Sequence, residues 1–136
     1  MAPTLDEAIA ELRRLNVEVP LPRQLPTEPE VEAAILEAGA TIHADFRTYL
    51  LRASDVVYGT KEPVAINGGH VDFVGVVETA RAMGVPDDLV PICEDNGDYF
   101  CVTASGGVIF WSHAGTTDER WPDLATWITD VWIGKT

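Results

Sequence analysis

The sequence predicts an α+β fold: a single antiparallel sheet flanked by helices, with an N-terminal helical extension. Three observations carry that prediction. Two capping boxes, Thr4–Glu7 and Thr27–Glu30, each open a run whose apolar residues recur at helical spacing. After Pro91 the pattern changes to β-prone runs on either side of a Gly-rich connection, and Pro122 then opens a last amphipathic stretch. Helices segregated from hairpin-connected strands belong to α+β architecture, whereas a doubly wound parallel sheet would need strands and helices in regular alternation. A chain of 136 residues suits one domain, and its 46% hydrophobic content supplies a core and excludes an extended disordered chain.

The elements follow in order. Thr4 and Glu7 can satisfy each other's orphan amides, and Leu5, Ile9 and Leu12 then share a helical face that ends near Asn16. Val17 to Pro26 is an extended connector, because Pro20, Pro22 and Pro26 forbid regular pairing. Thr27-Glu28-Pro29-Glu30 opens a second helix with Val31, Ala34, Ile35 and Ala38 as its stripe and Gly39 as its stop. Ile42, Phe46, Tyr49 and Leu50 give helical spacing again, broken at Arg52-Ala-Ser-Asp55. Val56-Val57-Tyr58 and Val64-Ala65-Ile66 read as short strands. Val71 to Met83 holds four valines, but Phe73, Val77 and Ala80 at helical spacing, followed by Gly84 and Pro86, favour a helix. Tyr99–Thr103 and Val108–His113 flank Ala104-Ser-Gly-Gly107 as a hairpin, and Leu124, Trp127, Ile128 and Val131 line the closing helix.

Charge narrows the partners. Asp and Glu number 22 against 9 Lys and Arg, a formal charge of -13, which argues against nucleic acid and against an anionic membrane surface. No apolar run approaches the roughly 18 residues of a membrane span, and the acidic N-terminus has no basic n-region, so a cytoplasmic location without a signal peptide is expected. Cys93 and Cys101 are too few for a disulfide framework and read as reduced, buried thiols. From Ala82 through Glu119 there is no Lys or Arg, while Asp87, Asp88, Glu94, Asp95, Asp98, Asp118 and Glu119 fall in that stretch. It is either a solvated face or an electrostatic landing site for a basic protein, with Tyr99, Trp111 and Trp121 nearby as candidate anchors.

No motif recommends catalysis, a cofactor or a metal. His43, His70 and His113 have no ligand spacing. Glu94-Asp95-Asn96-Gly97-Asp98 does not fit the EF-hand frame and reads as an acidic turn between strands. Gly68-Gly69 and Gly106-Gly107 lack the lysine and strand-to-helix setting of a phosphate loop, and Ser105 has no nucleophile-elbow context.

The order of these motifs nevertheless resembles a known family. Glu32–Gly39 followed by Asp45-Phe46-Arg47-Thr48-Tyr49-Leu50 is similar to a segment leading into a Tyr/Phe-Arg-x-Phe-Leu helix. Val90-Pro91-Ile92 and then Asn96-Gly97-Asp98-Tyr99-Phe100-Cys101-Val102 resemble that family's Pro-Ile strand and its Gly-Asp-x-hydrophobic-Cys strand. Gly107–His113 resembles the next strand, Gly-x-Val-x-x-Trp-x-His, and Leu124–Ile128 the closing helix. The family is the SUKH superfamily of Smi/Knr-like proteins. The resemblance spans Glu28 to Ile133 and is most specific from Pro91 to His113; Ile42-His43 departs from its Leu-Pro, and Arg52-Ala-Ser-Asp55 from its Asn-Gly-Gly.

The resemblance implies a Smi/Knr-like α+β domain over residues 27–136, with residues 1–26 as an N-terminal helix and Pro-rich extension. It implies no catalytic residues. Bacterial members are predominantly immunity proteins that neutralise a toxin, often a nuclease, and eukaryotic relatives act as regulatory adaptors. The leading expectation is therefore a non-enzymatic immunity protein that meets a basic toxin domain. Glu94, Asp95, Asp98, Asp118 and Glu119 would steer that encounter, and Trp111 or Trp121 would anchor it. The rivals are an adaptor and a small enzyme whose site would gather two or more of His43, His70, His113, Asp95 and Asp98. The sequence leaves monomer or homodimer open.

Overall fold

A computed structural model describes residues 2–115 and 117–134; Met1 and the last two residues of the expected 27–136 domain lie outside the described residues. Its elements are α1 (Leu5–Leu15), α2 (Glu28–Ala38), α3 (Ala44–Arg52), α4 (Phe73–Met83), β1 (Leu89–Asp95), β2 (Asp98–Thr103), β3 (Val108–Trp111), β4 (Arg120–Trp121) and α5 (Leu124–Trp127). The fold is α+β, with a four-stranded antiparallel sheet in the order β1-β2-β3-β4.

Both capping boxes form. The Thr4 amide donates to Glu7 Oε1 at 2.8 Å while the Glu7 amide donates to Thr4 Oγ1 at 3.1 Å. Thr27 and Glu30 repeat the exchange at the start of α2. Gly39 ends α2 in the left-handed conformation, at φ 65. The apolar stripe of α1 is covered by this chain itself: Ala8, Ile9 and Leu12 are buried in the main core, packed against α3 and α5. Arg13 pins that packing by pairing its guanidinium with Asp55, just after α3.

Two short segments differ from expectation. Val56–Tyr58 and Val64–Ile66 are not strands; only isolated bridges occur here, Pro63 to Cys93 and Ala65 to Asp72. Their amides find single partners instead of a ladder. The Val57 amide donates to Asn16 Oδ1, and its carbonyl accepts from Val17. The Val64 amide donates to the Ile92 carbonyl at 2.8 Å, and Pro63 has no N–H to extend the pairing. Their β-branched side chains serve burial, since Val56 and Val64 both sit in the core.

The valine-rich stretch is a helix, as its spacing predicts. A 3-10 turn at Gly69–Val71 leads to Asp72, whose carboxylate caps α4 at the Gly75 amide, and Gly84 (φ 107) closes it. Phe73, Val77 and Ala80 are its buried face. The sheet follows with Asn96 and Gly97 both at positive φ, the paired left-handed geometry of a tight hairpin turn. Register shifts between Pro91 and Cys93 bulge β1 where proline cannot donate. The Ala104–Gly107 hairpin forms, but β3 stops at Trp111 instead of running to His113, and β4 is an additional two-residue strand.

The closing segment departs from a plain α-helix. Asp123 caps α5 through the Thr126 amide, and Ile128–Gly134 continues as π-helical turns. The wider winding turns Trp132 into the core, where Trp127 already lies, and leaves Val131 half-buried. Trp132 Nε1 then donates to the Tyr58 carbonyl at 3.1 Å. One face of the sheet, with Val90, Ile92, Phe100, Val102 and Val108, closes the main core; the other, with Tyr99 and Cys101, packs with Ala80 and Val85 in a smaller cluster.

Candidate functional site

The meander fixes where the acidic residues meet. In an antiparallel order β1-β2-β3-β4, the β1–β2 turn and the β3–β4 loop emerge at the same end of the sheet, and the Ala104–Gly107 hairpin at the other. Glu94, Asp95 and Asp98 therefore share one end with Asp118 and Glu119. Two of the five have structural duties. The Glu94 carboxylate accepts from the Gly97 amide at 2.6 Å and closes the turn. Asp98 Oδ1 accepts from the His113 amide at 3.2 Å and from His113 Nδ1 at 2.7 Å, tying the two loops together. Partial burial would raise the Asp98 pKa, but the hydrogen bonds from His113 and Ser112 prevail and hold it below the ordinary carboxylate value. Asp118 and Glu119 are exposed; their loop is held by the Glu119 carbonyl, which accepts from Phe110, and by Thr117, whose hydroxyl donates to the Phe110 carbonyl.

The two tryptophans do not join one patch. Trp111 pairs across from Tyr99, with ring centroids 6.2 Å apart, on the sheet face that carries Cys101. Trp121 pairs across from Val108 on the opposite face and packs 5.7 Å from Phe100. Both are half-buried, and Trp121 contributes to the main core.

Beside the β1–β2 turn lies a cleft of about 640 Å³, walled by α4, by the 3-10 turn and by residues 60–64. Val76, Met83 and Tyr99 supply apolar lining, Glu62, Glu94 and Asp95 supply carboxylates, and His70 is paired with Glu62 at 3.1 Å. Of the groups an enzyme site would need, the cleft gathers His70 and Asp95, and Asp98 and His113 form a separate pair beside it. His43 is elsewhere: its Nδ1 accepts from the Asp45 amide as the cap of α3, and its ring lies against Gly106 of the far hairpin. Among the described residues no three His, Cys, Asp or Glu side chains converge on a metal position.

Cys93 and Cys101 are free and buried, and burial pushes each thiol up to about 12, far from a nucleophile's range. Sequence reasoning missed Glu62, Thr79 and Met83 as lining of the cleft. No local motif marks them, since they meet only when α4 and the 60–64 segment pack beside β1.

A family model described as SMI1-KNR4 cell-wall, of the SUKH group, matches residues 5–133. No curated protein matches the chain. Among solved structures, a crystal structure of a protein from Pseudomonas syringae pv. tomato is similar at a TM-score of 0.89 and 39% identity, covering 94% of this chain and 98% of that one. No helix of the described residues is long and apolar enough to cross a membrane.

Proposed function

The chain belongs to the SMI1-KNR4 cell-wall family, and on that premise we propose that it is a non-enzymatic, cytoplasmic immunity protein that binds and neutralises a basic toxin domain, of the nuclease kind. The observation that carries this reading is the convergence of the two acidic loops at one sheet end. Glu94, Asp95, Asp98, Asp118 and Glu119 make a negative surface at one end of the sheet, and the chain bears -13 overall. Such a field steers a cationic partner and repels nucleic acid. A nuclease's substrate-binding surface is cationic, so an inhibitor carrying the charge of the displaced nucleic acid would occupy it. The inward-packed indole of Trp121 leaves Trp111, on the Tyr99 face, as the better anchor.

Growth rescue tests this. If a large secreted protein with a basic C-terminal domain is encoded beside the chain's gene, that domain is expressed in a bacterial host with and without the chain. Restored growth together with a stable complex between purified components supports immunity. Undiminished toxicity with no complex overturns it, and binding to host cell-wall regulators in its place would make the protein an adaptor.

A further inference from the structure

We propose that the cleft between α4 and the β1–β2 turn is a socket for a short basic and apolar peptide segment of the protein partner, in which a Lys or Arg is flanked by aliphatic residues. The proposal rests on reading the chain as a protein-binding domain and adds where the partner inserts and what it must present.

The cleft's volume, about 640 Å³, exceeds a single side chain and lies in the range, about 300–1,000 Å³, of sites that enclose small ligands. Its lining divides by chemistry. Val76, Met83 and Tyr99 offer an apolar floor, and Met83 is conspicuously exposed for a methionine, at 44%. The rim carries the carboxylates of Glu62, Glu94 and Asp95 against the one imidazole of His70, and no Lys or Arg is among the described lining residues. Asp95 has no ion-pair partner among the described residues; its Oδ1 accepts only from the side-chain Nδ2 of Asn96, at 3.5 Å.

These features select the occupant. An anion would be repelled by the three carboxylates at the mouth of the cleft. A purely apolar segment would cover the rim and strip water from charges without replacing it. A long cationic side chain satisfies both parts, because its aliphatic stem lies on apolar surface while its head reaches the carboxylates, and aliphatic neighbours fill the remaining volume. The socket also adjoins the acidic sheet end, with Asp95 common to the two, so a partner steered to that end arrives beside it.

The test needs no toxin. The 15N-labelled protein is titrated with the peptide acetyl-Leu-Arg-Leu-amide and with its citrulline counterpart, which keeps shape and loses charge. Saturable amide shifts confined to Gly75, Val76, Thr79, Asn96 and Gly97 are expected, with the citrulline peptide at least about fivefold weaker. Thr79→Trp, at an exposed position of α4, should fill the cleft and abolish the shifts while the rest of the spectrum stays in place. Shifts absent at about 20 mM peptide, well above the millimolar affinity expected of so small a ligand, overturn the socket. Shifts scattered over the acidic surface and unaltered by Thr79→Trp overturn it too. If the socket fails in this way while the chain still rescues growth, the immunity reading stands; peptide binding together with undiminished toxicity and no toxin complex would uphold the socket and overturn immunity.

Discussion

A single carboxylate oxygen of Asp98 holds both the backbone amide and the ring Nδ1 of His113, at 3.2 and 2.7 Å, across the loop end of the sheet. A carboxylate can only accept, so Nδ1 carries the proton whichever state the other ring nitrogen adopts. Asp98 thus works as a clasp between the β1–β2 turn and the β3–β4 loop, its carboxylate held in place by His113.

The clasp has a pH signature. Asp98 titrates below an unfolded Asp, so its contribution to stability is present above the ordinary carboxylate pKa and is lost as pH falls through the lowered folded value. Asp98→Asn should be less stable than the parent in urea at pH 7, and the gap should narrow progressively as the medium is acidified into that range. A gap unchanged down to pH 2 would rule out the ionised clasp.

Because Glu94 and Asp98 close the turn and the clasp, reversing them would mix folding with binding. Asp95, Asp118 and Glu119 are the cleaner choice. If the chain binds a basic toxin domain as proposed, their triple Lys variant should associate with it about tenfold or more slowly at low salt, the difference shrinking as ionic strength rises. Stopped-flow association rates that match the parent's would remove the steering role of these loops.

Gly106 and His43 should be coupled. Gly106 sits at φ 97, and a Cβ there would lie 2.7 Å from His43 Nε2. The ring cannot swing away without giving up its cap on the Asp45 amide. Gly106→Ala should destabilise by about 1–3 kcal/mol, from positive-φ strain together with the clash. Adding His43→Ala should cost less in that background than alone. Additive effects in a double-mutant cycle would show that the ring is free to move.

The N-terminal helix should behave as core. Leu12 is fully buried and Leu36 is 83% exposed. Leu12→Ala should cost about 2–5 kcal/mol in chemical denaturation, and Leu36→Ala should stay within about 0.5 kcal/mol of the parent. Equal effects would contradict the packing of α1 against α3 and α5.

The thiols should be silent until the chain unfolds. With pKa values near 12, only about one thiol in 10,000 would be ionised at pH 8 even if a reagent could reach it. Ellman's reagent should find no free thiol in native protein and two in guanidinium. Rapid native labelling of either cysteine would mean that the sheet opens locally.

What the sequence disclosed was whatever depends on neighbours along the chain. The two capping boxes, the Gly39 and Gly84 stops and the Ala104–Gly107 hairpin are local chemistry, and they form as their residues predict. Val56–Tyr58 and Val64–Ile66 misled because valine is as well suited to a buried irregular segment as to a strand, and only the lack of a partner strand decides between them. The π-helical turns were hidden for a similar reason: Val131 completes an α-helical stripe by spacing alone, and the pull of Trp132 toward the core and toward the Tyr58 carbonyl is a tertiary matter. At the candidate site, the acidic residues were legible as a charge pattern. Their gathering at one sheet end, the commitment of Asp98 to His113 and the inclusion of Glu62 and His70 depend on topology. So does Arg81, whose guanidinium donates to the Pro86 and Leu89 carbonyls and fastens the α4–β1 connection without any sequence signature.

The packing of α1 against α5 has a consequence for the order in which the protein is made. The sheet is assembled from strands that pair with their immediate successors, so it can zip up by short loop closures as residues 89–121 appear. Ile9 and Leu12 have a different history: α1 is synthesised before any strand, yet part of its cover comes from residues 124–134. During translation, at about 5–20 residues per second, that apolar stripe waits about 6–24 seconds with its cover incomplete. The nascent chain thus exposes a sticky helix until residues 124–134 leave the ribosome, which leaves this stripe open to a chaperone in the meantime.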